Sequence, residues 1–76
     1  MKIIVKKVKQ NGWMVNDCYS FRKADNVLLV KHYVNNDLGT YYQTISIKTF
    51  DDTEAGKNAA NAIYAQKRSE GYEIKI

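Results

Sequence analysis

Between Lys2 and Ala24, apolar and polar side chains alternate on both sides of Asn11-Gly12. A two-residue period is the mark of a half-buried strand, and Asn-Gly accepts the positive φ angles of a type I′ turn. The pattern predicts a hairpin whose register is fixed at its tip. Lys9 faces Met14, Val8 faces Val15, Lys7 faces Asn16, Lys6 faces Asp17 and Ile4 faces Tyr19. One face then carries Ile4, Val8, Trp13, Val15, Tyr19 and Phe21, the expected core. The other carries Lys7, Lys9, Asn16, Ser20 and Arg22 and is expected in water. Ile3 and Val5 interrupt that wet side, so cover is expected at that end.

"RKADN" turns the chain into "VLLVKHYV", an apolar run that reads as a more central strand. "NNDLG" is a second turn signal, and "TYYQTISIKTF" is rich in β-branched and aromatic residues. The period then changes to that of a helix, expected from about Asp52 to Glu70. Asp51 is the expected N-cap, with Glu54 three residues on as in a capping box. Lys67 and Arg68 suit the negative end of the helix dipole, and Gly71 suits the stop. Ala55, Ala59, Ala62, Ile63 and Gln66 fall on one stripe, mostly small, which lets a helix lie close against a sheet. "YEIKI" alternates and reads as a final edge strand. The expected fold is α+β: an antiparallel sheet of four to five strands with one C-terminal helix on one face. With no repeat or linker, residues 1–76 read as a single small domain.

Composition narrows the chemistry. The chain carries a formal charge of +4, unevenly placed. Residues 1–23 hold six basic side chains against Asp17 alone, whereas residues 24–76 hold six basic and seven acidic ones. The net charge therefore belongs to the opening hairpin, which points to nucleic acid or another acidic partner. A single cysteine, Cys18, rules out an intrachain disulfide and suits a reducing, cytoplasmic setting. No apolar run approaches the ~20 residues of a membrane span, and "MKIIVKK" falls short of a signal peptide. His32 is the only histidine, so neither a zinc site nor a general base with partners can be assembled. Asp51, Asp52 and Glu54 are read as helix-capping acids. The expectation is a protein without catalytic, metal or cofactor sites.

One stretch resembles a known family. "GTYYQTISIKTFDDTEAGKNAANAIYAQKRSEGYE", about half of the chain, is similar to the C-terminal half of the WGR domain through Gly39, Gln43, Phe50, Ala55, Lys67 and Gly71-Tyr72. The resemblance implies a sheet-plus-helix fold and an association with DNA metabolism. The family's Trp-Gly-Arg is replaced here by "KHYVNNDL", so its DNA-contacting Trp and Arg have no counterpart.

Two functions are consistent with these features. In the first, a non-enzymatic module uses Lys7, Lys9, Arg22 and Lys23 to bind nucleic acid, or a nucleic-acid-associated protein, through phosphates or acidic groups. In the second, the chain resembles in composition the small accessory proteins of phages and mobile elements, such as anti-CRISPRs, and inhibits a protein by binding it. Adjacent Tyr41 and Tyr42 must point to opposite faces, one toward the core and one outward, and are the protein-interface candidates. Open sheet edges also allow a homodimer.

Overall fold

The protein is described in full, Met1–Ile76, by a computed structural model. Asn11 and Gly12 adopt φ of 52° and 85°, the left-handed pair that a two-residue hairpin turn requires. They join β1 (Lys2–Gln10) to β2 (Trp13–Ala24), and every pair expected from the turn is present, from Lys9 opposite Met14 to Ile4 opposite Tyr19. A second tight turn, with Asp25 at φ 55°, leads into β3 (Val27–Asn35). A longer loop precedes β4 (Tyr42–Asp51). After helix α1 (Glu54–Ser69), the short β5 (Glu73–Ile74) returns to pair with β1. All pairings are antiparallel, in the order β4-β3-β2-β1-β5. The fold is α+β, as expected. The apolar run Val27–Val34 lies inside the sheet, although β2 takes the central place.

The helix begins two residues later than its acids indicate. Asp51 still belongs to β4, where it opposes Val27, so it cannot cap. Thr53 is the N-cap instead: its backbone is extended, and its hydroxyl accepts from the Gly56 N–H at 3.2 Å. Gly56 sits where Glu or Gln would complete a capping box, leaving Glu54 to favour the dipole alone. At the other end Gly71, at φ 101°, permits a Schellman motif. The Tyr72 N–H donates to the Lys67 carbonyl and the Gly71 N–H to that of Arg68.

The buried face of α1 is also rotated from the expected one. Ala55 and Ala62 are exposed; Gly56 and Ala60 are buried, with Ala59, Ile63 and Tyr64 half-buried. These follow the i, i+3, i+4, i+7 spacing of a helix stripe, shifted by one residue from the alanine series. Alanine is apolar enough to mimic a core position wherever it falls, and here glycine and tyrosine fix the contact. Phe21 of β2 meets Tyr64 edge-on at 5.5 Å between ring centroids.

Trp13 is a further correction. It shares the helix-facing side of β2 with Val15, but its side chain is 76% exposed, because the hairpin tip projects beyond the ground that α1 covers. The buried core is Ile4, Val15, Cys18, Val30, Val34, Ala60 and Tyr72. Ile3 and Val5 are half-buried on the side away from the helix, which no other element covers.

Candidate functional site

The register fixes where each hairpin cation lies. Lys2 and Lys6 stand on the helix side. The Lys2 ammonium is 4.5 Å from the centroid of the Tyr64 ring, and Lys6 donates to the Glu70 carbonyl at 2.7 Å, capping the C-terminus of α1. Lys23 also lies on the helix side and pairs with Asp52 at 2.8 Å. It therefore does not extend the face that holds Lys7, Lys9 and Arg22. Lys7 is on the open face but is held by Asp37 at 2.7 Å and Asn16 at 3.0 Å. Hydrogen bonds from Lys7 and Asn16 keep the Asp37 carboxyl below its ordinary pKa. Arg22 lies six residues along β2 from Asn16, the partner of Lys7, which is roughly 20 Å at strand rise. Of the four expected site cations, Lys9 and Arg22 remain without an internal partner, at opposite ends of one face.

That open face gains a different centre. Lys31 of β3 lies opposite Ser20, on the same side as Arg22. Its ammonium is 5.4 Å from the Tyr33 ring centroid and 5.0 Å from that of Tyr42. Tyr33 and Tyr42 stack at 5.5 Å with 30° between their planes, and Tyr42 is 56% exposed. Arg22 and Lys31 together line a shallow hollow of about 270 Å³ with Ser20, Leu29 and Ile47. Sequence reasoning placed no weight on Lys31. Reading Asp25-Asn26 as a two-residue turn, like Asn11-Gly12, would have put Lys31 beside Arg22. Tyr41 behaves differently from Tyr42: it is half-buried, and its hydroxyl donates to Gln43 Oε1 at 2.7 Å.

The helix side holds a polar network that ties α1 to the sheet. His32 Nε2 meets Asp17 Oδ1 at 2.5 Å, and its ring stacks on Tyr19 at 4.3 Å. Tyr19 in turn meets Tyr72 edge-on at 5.4 Å. The Lys67 ammonium lies 5.1 Å from the Tyr19 ring centroid and pairs with Glu70 at 3.2 Å. Burial alone would lower the Lys67 pKa, but Glu70 and the neighbouring Tyr19 hydroxyl outweigh it and hold it above the ordinary value. These groups are joined to one another.

Three weak acids respond to this packing. Burial raises the Cys18 thiol, which is 2% exposed, and burial raises the Tyr33 phenol. Burial and the neighbouring Asp17 carboxylate raise Tyr72. Each binds its proton more tightly in the folded chain, so unfolding releases protons at high pH. Their contribution to stability is complete below the unfolded pKa values, 9.0 for the thiol and 10.0 for the phenols, and declines as pH climbs through the folded ones. The urea midpoint is therefore expected to fall between about pH 8 and pH 10.5. A flat midpoint would mean that these groups titrate as if in water. Native Cys18 is likewise expected to resist thiol reagents until the chain unfolds.

No group of three or more His, Cys, Asp or Glu side chains is placed to hold a metal ion. No helix is long and apolar enough to cross a membrane. Comparison with protein-family models, curated proteins and solved structures gives no match for this chain.

Proposed function

We propose that this domain is a non-enzymatic module that binds single-stranded nucleic acid across the uncovered face of its sheet. The observation that carries this reading is the stacked Tyr33–Tyr42 pair with Lys31 over both rings and Arg22 beside it. An exposed aromatic platform stacks bases whatever their sequence, and flanking cations take the phosphates. The buried, reduced Cys18 suits a cytoplasmic protein. The hairpin contributes Lys9 and Arg22 to this surface; Lys7 joins only by giving up Asp37, and Lys23 stays with Asp52 on the other side.

The test is a titration with fluorescent oligo-dT and oligo-rU. If Lys9, Arg22 and Lys31 neutralise about three phosphates, log affinity falls against log salt with a slope near −2. Raising salt from about 50 to 200 mM then weakens binding roughly 18-fold. Tyr42→Ala is expected to lose about 1–3 kcal/mol of binding, and Lys31→Glu at least as much. Lys23→Glu should leave affinity nearly unchanged, which separates the open face from a contact by the whole hairpin. Absence of binding to either oligonucleotide at about 50 mM salt would end this reading.

A further inference from the structure

We infer that the cleft at the hairpin end of the sheet docks an extended, uncharged segment of a protein partner. The segment pairs with the backbone of Met14 and seats an apolar side chain between Trp13 and Leu38. This site uses none of Arg22, Lys31 or Tyr42 and borders the nucleic-acid surface only at Lys9, which faces Met14.

The strands end unevenly here. β3 stops at Asn35, opposite Asn16, while β2 continues through Val15, Met14 and Trp13 with β1 as its only neighbour. Where β3 would continue, the chain swings away through residues 36–41. Asn36 holds that loop open: its side-chain oxygen accepts from the N–H groups of Thr40 and Tyr41, and its amide donates to the Thr40 hydroxyl. The result is a cleft of about 580 Å³ whose lining includes Trp13, Met14, Val15, Leu38 and Tyr41. Gln10 and Trp13 flank a two-residue turn and form a hydrogen-bonded pair, so the Met14 N–H and C=O point away from β1 into the cleft. No backbone group of the loop takes them. The exposed strand edge is thus a template for one more short strand.

Charge and area decide the occupant. The lining holds no cation, and its one carboxylate, Asp37, is engaged by Lys7 and Asn16. The nearest free cation, Lys9 opposite Met14, lies outside the lining, so the cleft itself offers a charged anchor no partner. Trp13 and Met14 are strand neighbours that leave opposite faces of β2, so one apolar anchor meets Trp13 and Leu38, 76% and 84% exposed, and not all three side chains. Two side chains fall well below the ~800 Å² that each partner contributes to a standard stable interface, so a second copy docked here alone would be held weakly. A single strand with one apolar anchor and paired backbone fits both the size and the neutrality.

The probe is the capped peptide acetyl-Thr-Leu-Val-Leu-Thr-amide, with a version N-methylated at its central residue. Each is titrated to about 5 mM into isotope-labelled full-length protein, a range that reads a dissociation constant near 1 mM. Trp13, the only tryptophan, gives a second signal by fluorescence. Amide shifts are expected on both walls, at Trp13, Met14, Leu38 and Tyr41. N-methylation and Trp13→Ala should each weaken binding about tenfold or more, while Trp13→Phe retains most of it. Three results would overturn the proposal: no shifts at the cleft, shifts indifferent to N-methylation, or a dimer in sedimentation that Trp13→Ala dissociates. The last would assign the cleft to a second copy of this chain.

Discussion

Replacing Gly56 with alanine is expected to lower the melting temperature by about 12–24 °C, a loss of about 3 kcal/mol. At an exposed helix position the same change stabilises by about 1 kcal/mol, so the sign itself is diagnostic. The reason lies in how closely α1 approaches the end of β4. A Cβ at position 56 would stand 1.8 Å from the Asp51 carbonyl oxygen and 2.9 Å from its carbon. Both are backbone atoms and cannot rotate aside. Asp51 is held in turn by its pairing with Val27, so the helix must lift. Lifting it loosens Ala60 and Tyr64, and with them the Phe21 contact. Ala62→Arg, on the exposed side of the same helix, should change stability by less than about 0.5 kcal/mol. Thermal melts of the two variants beside the parent measure both effects. A Gly56→Ala variant that melts at or above the parent would mean that α1 does not rest on β4.

Much of this architecture was legible in the chain because local chemistry and tertiary packing agree. Asn11-Gly12 dictates a turn type, the turn dictates a register, and nine strand pairs follow from two residues. Gly71 stops the helix for the same kind of reason: only a left-handed residue lets the Tyr72 N–H return to Lys67. The helix face was not legible. Four alanines, two asparagines and a glycine between 55 and 62 carry too little contrast in size or polarity to mark a side. What selected Gly56 was the Asp51 carbonyl, a long-range contact absent from any helical period. Trp13 failed for a geometric reason. Alternation gives the face of a strand residue but not whether the covering helix is long enough to reach it.

The lysines of the opening hairpin show the same limit in their charges. Counting placed a surplus of cations over residues 1–23, but counting does not see partners. Lys2 spends its charge on Tyr64, Lys6 on the C-terminus of α1, Lys7 on Asp37 and Lys23 on Asp52. Of these partners only Asp37 and Asp52 are carboxylates, whereas Tyr64 offers a ring and Glu70 a backbone carbonyl. The charges of Lys7 and Lys23 are thus offset locally, and the formal asymmetry overstates the field offered to a ligand. Lys31 was overlooked because it sits alone in an apolar run, yet it stands over half-buried Tyr33 and exposed Tyr42.

Tyr72→Ala is expected to cost about 3–4 kcal/mol, the other large effect in this chain. Tyr72 follows the helix stop and is only 6% exposed, a large side chain buried in a domain with little core to spare. It rests edge-on against Tyr19, and through it the end of α1 is anchored to β2. Removing the ring opens a cavity beneath the last helical turn and exposes Asp17 further to water. Tyr72→Phe separates the two contributions. The ring and its contact with Tyr19 survive, while the hydroxyl beside Asp17 is lost, for an expected cost of about 1 kcal/mol. Asp17 keeps its contact with His32, which limits the penalty. Urea unfolding near neutral pH measures both variants. If the alanine variant loses less than about 1 kcal/mol, the C-terminal end of α1 is not docked through Tyr72. If the phenylalanine variant loses as much as the alanine one, the hydroxyl rather than the ring holds that junction. Neither change touches the face of Arg22, Lys31 and Tyr42, so below the melting transition affinity for oligo-dT should follow the folded fraction alone.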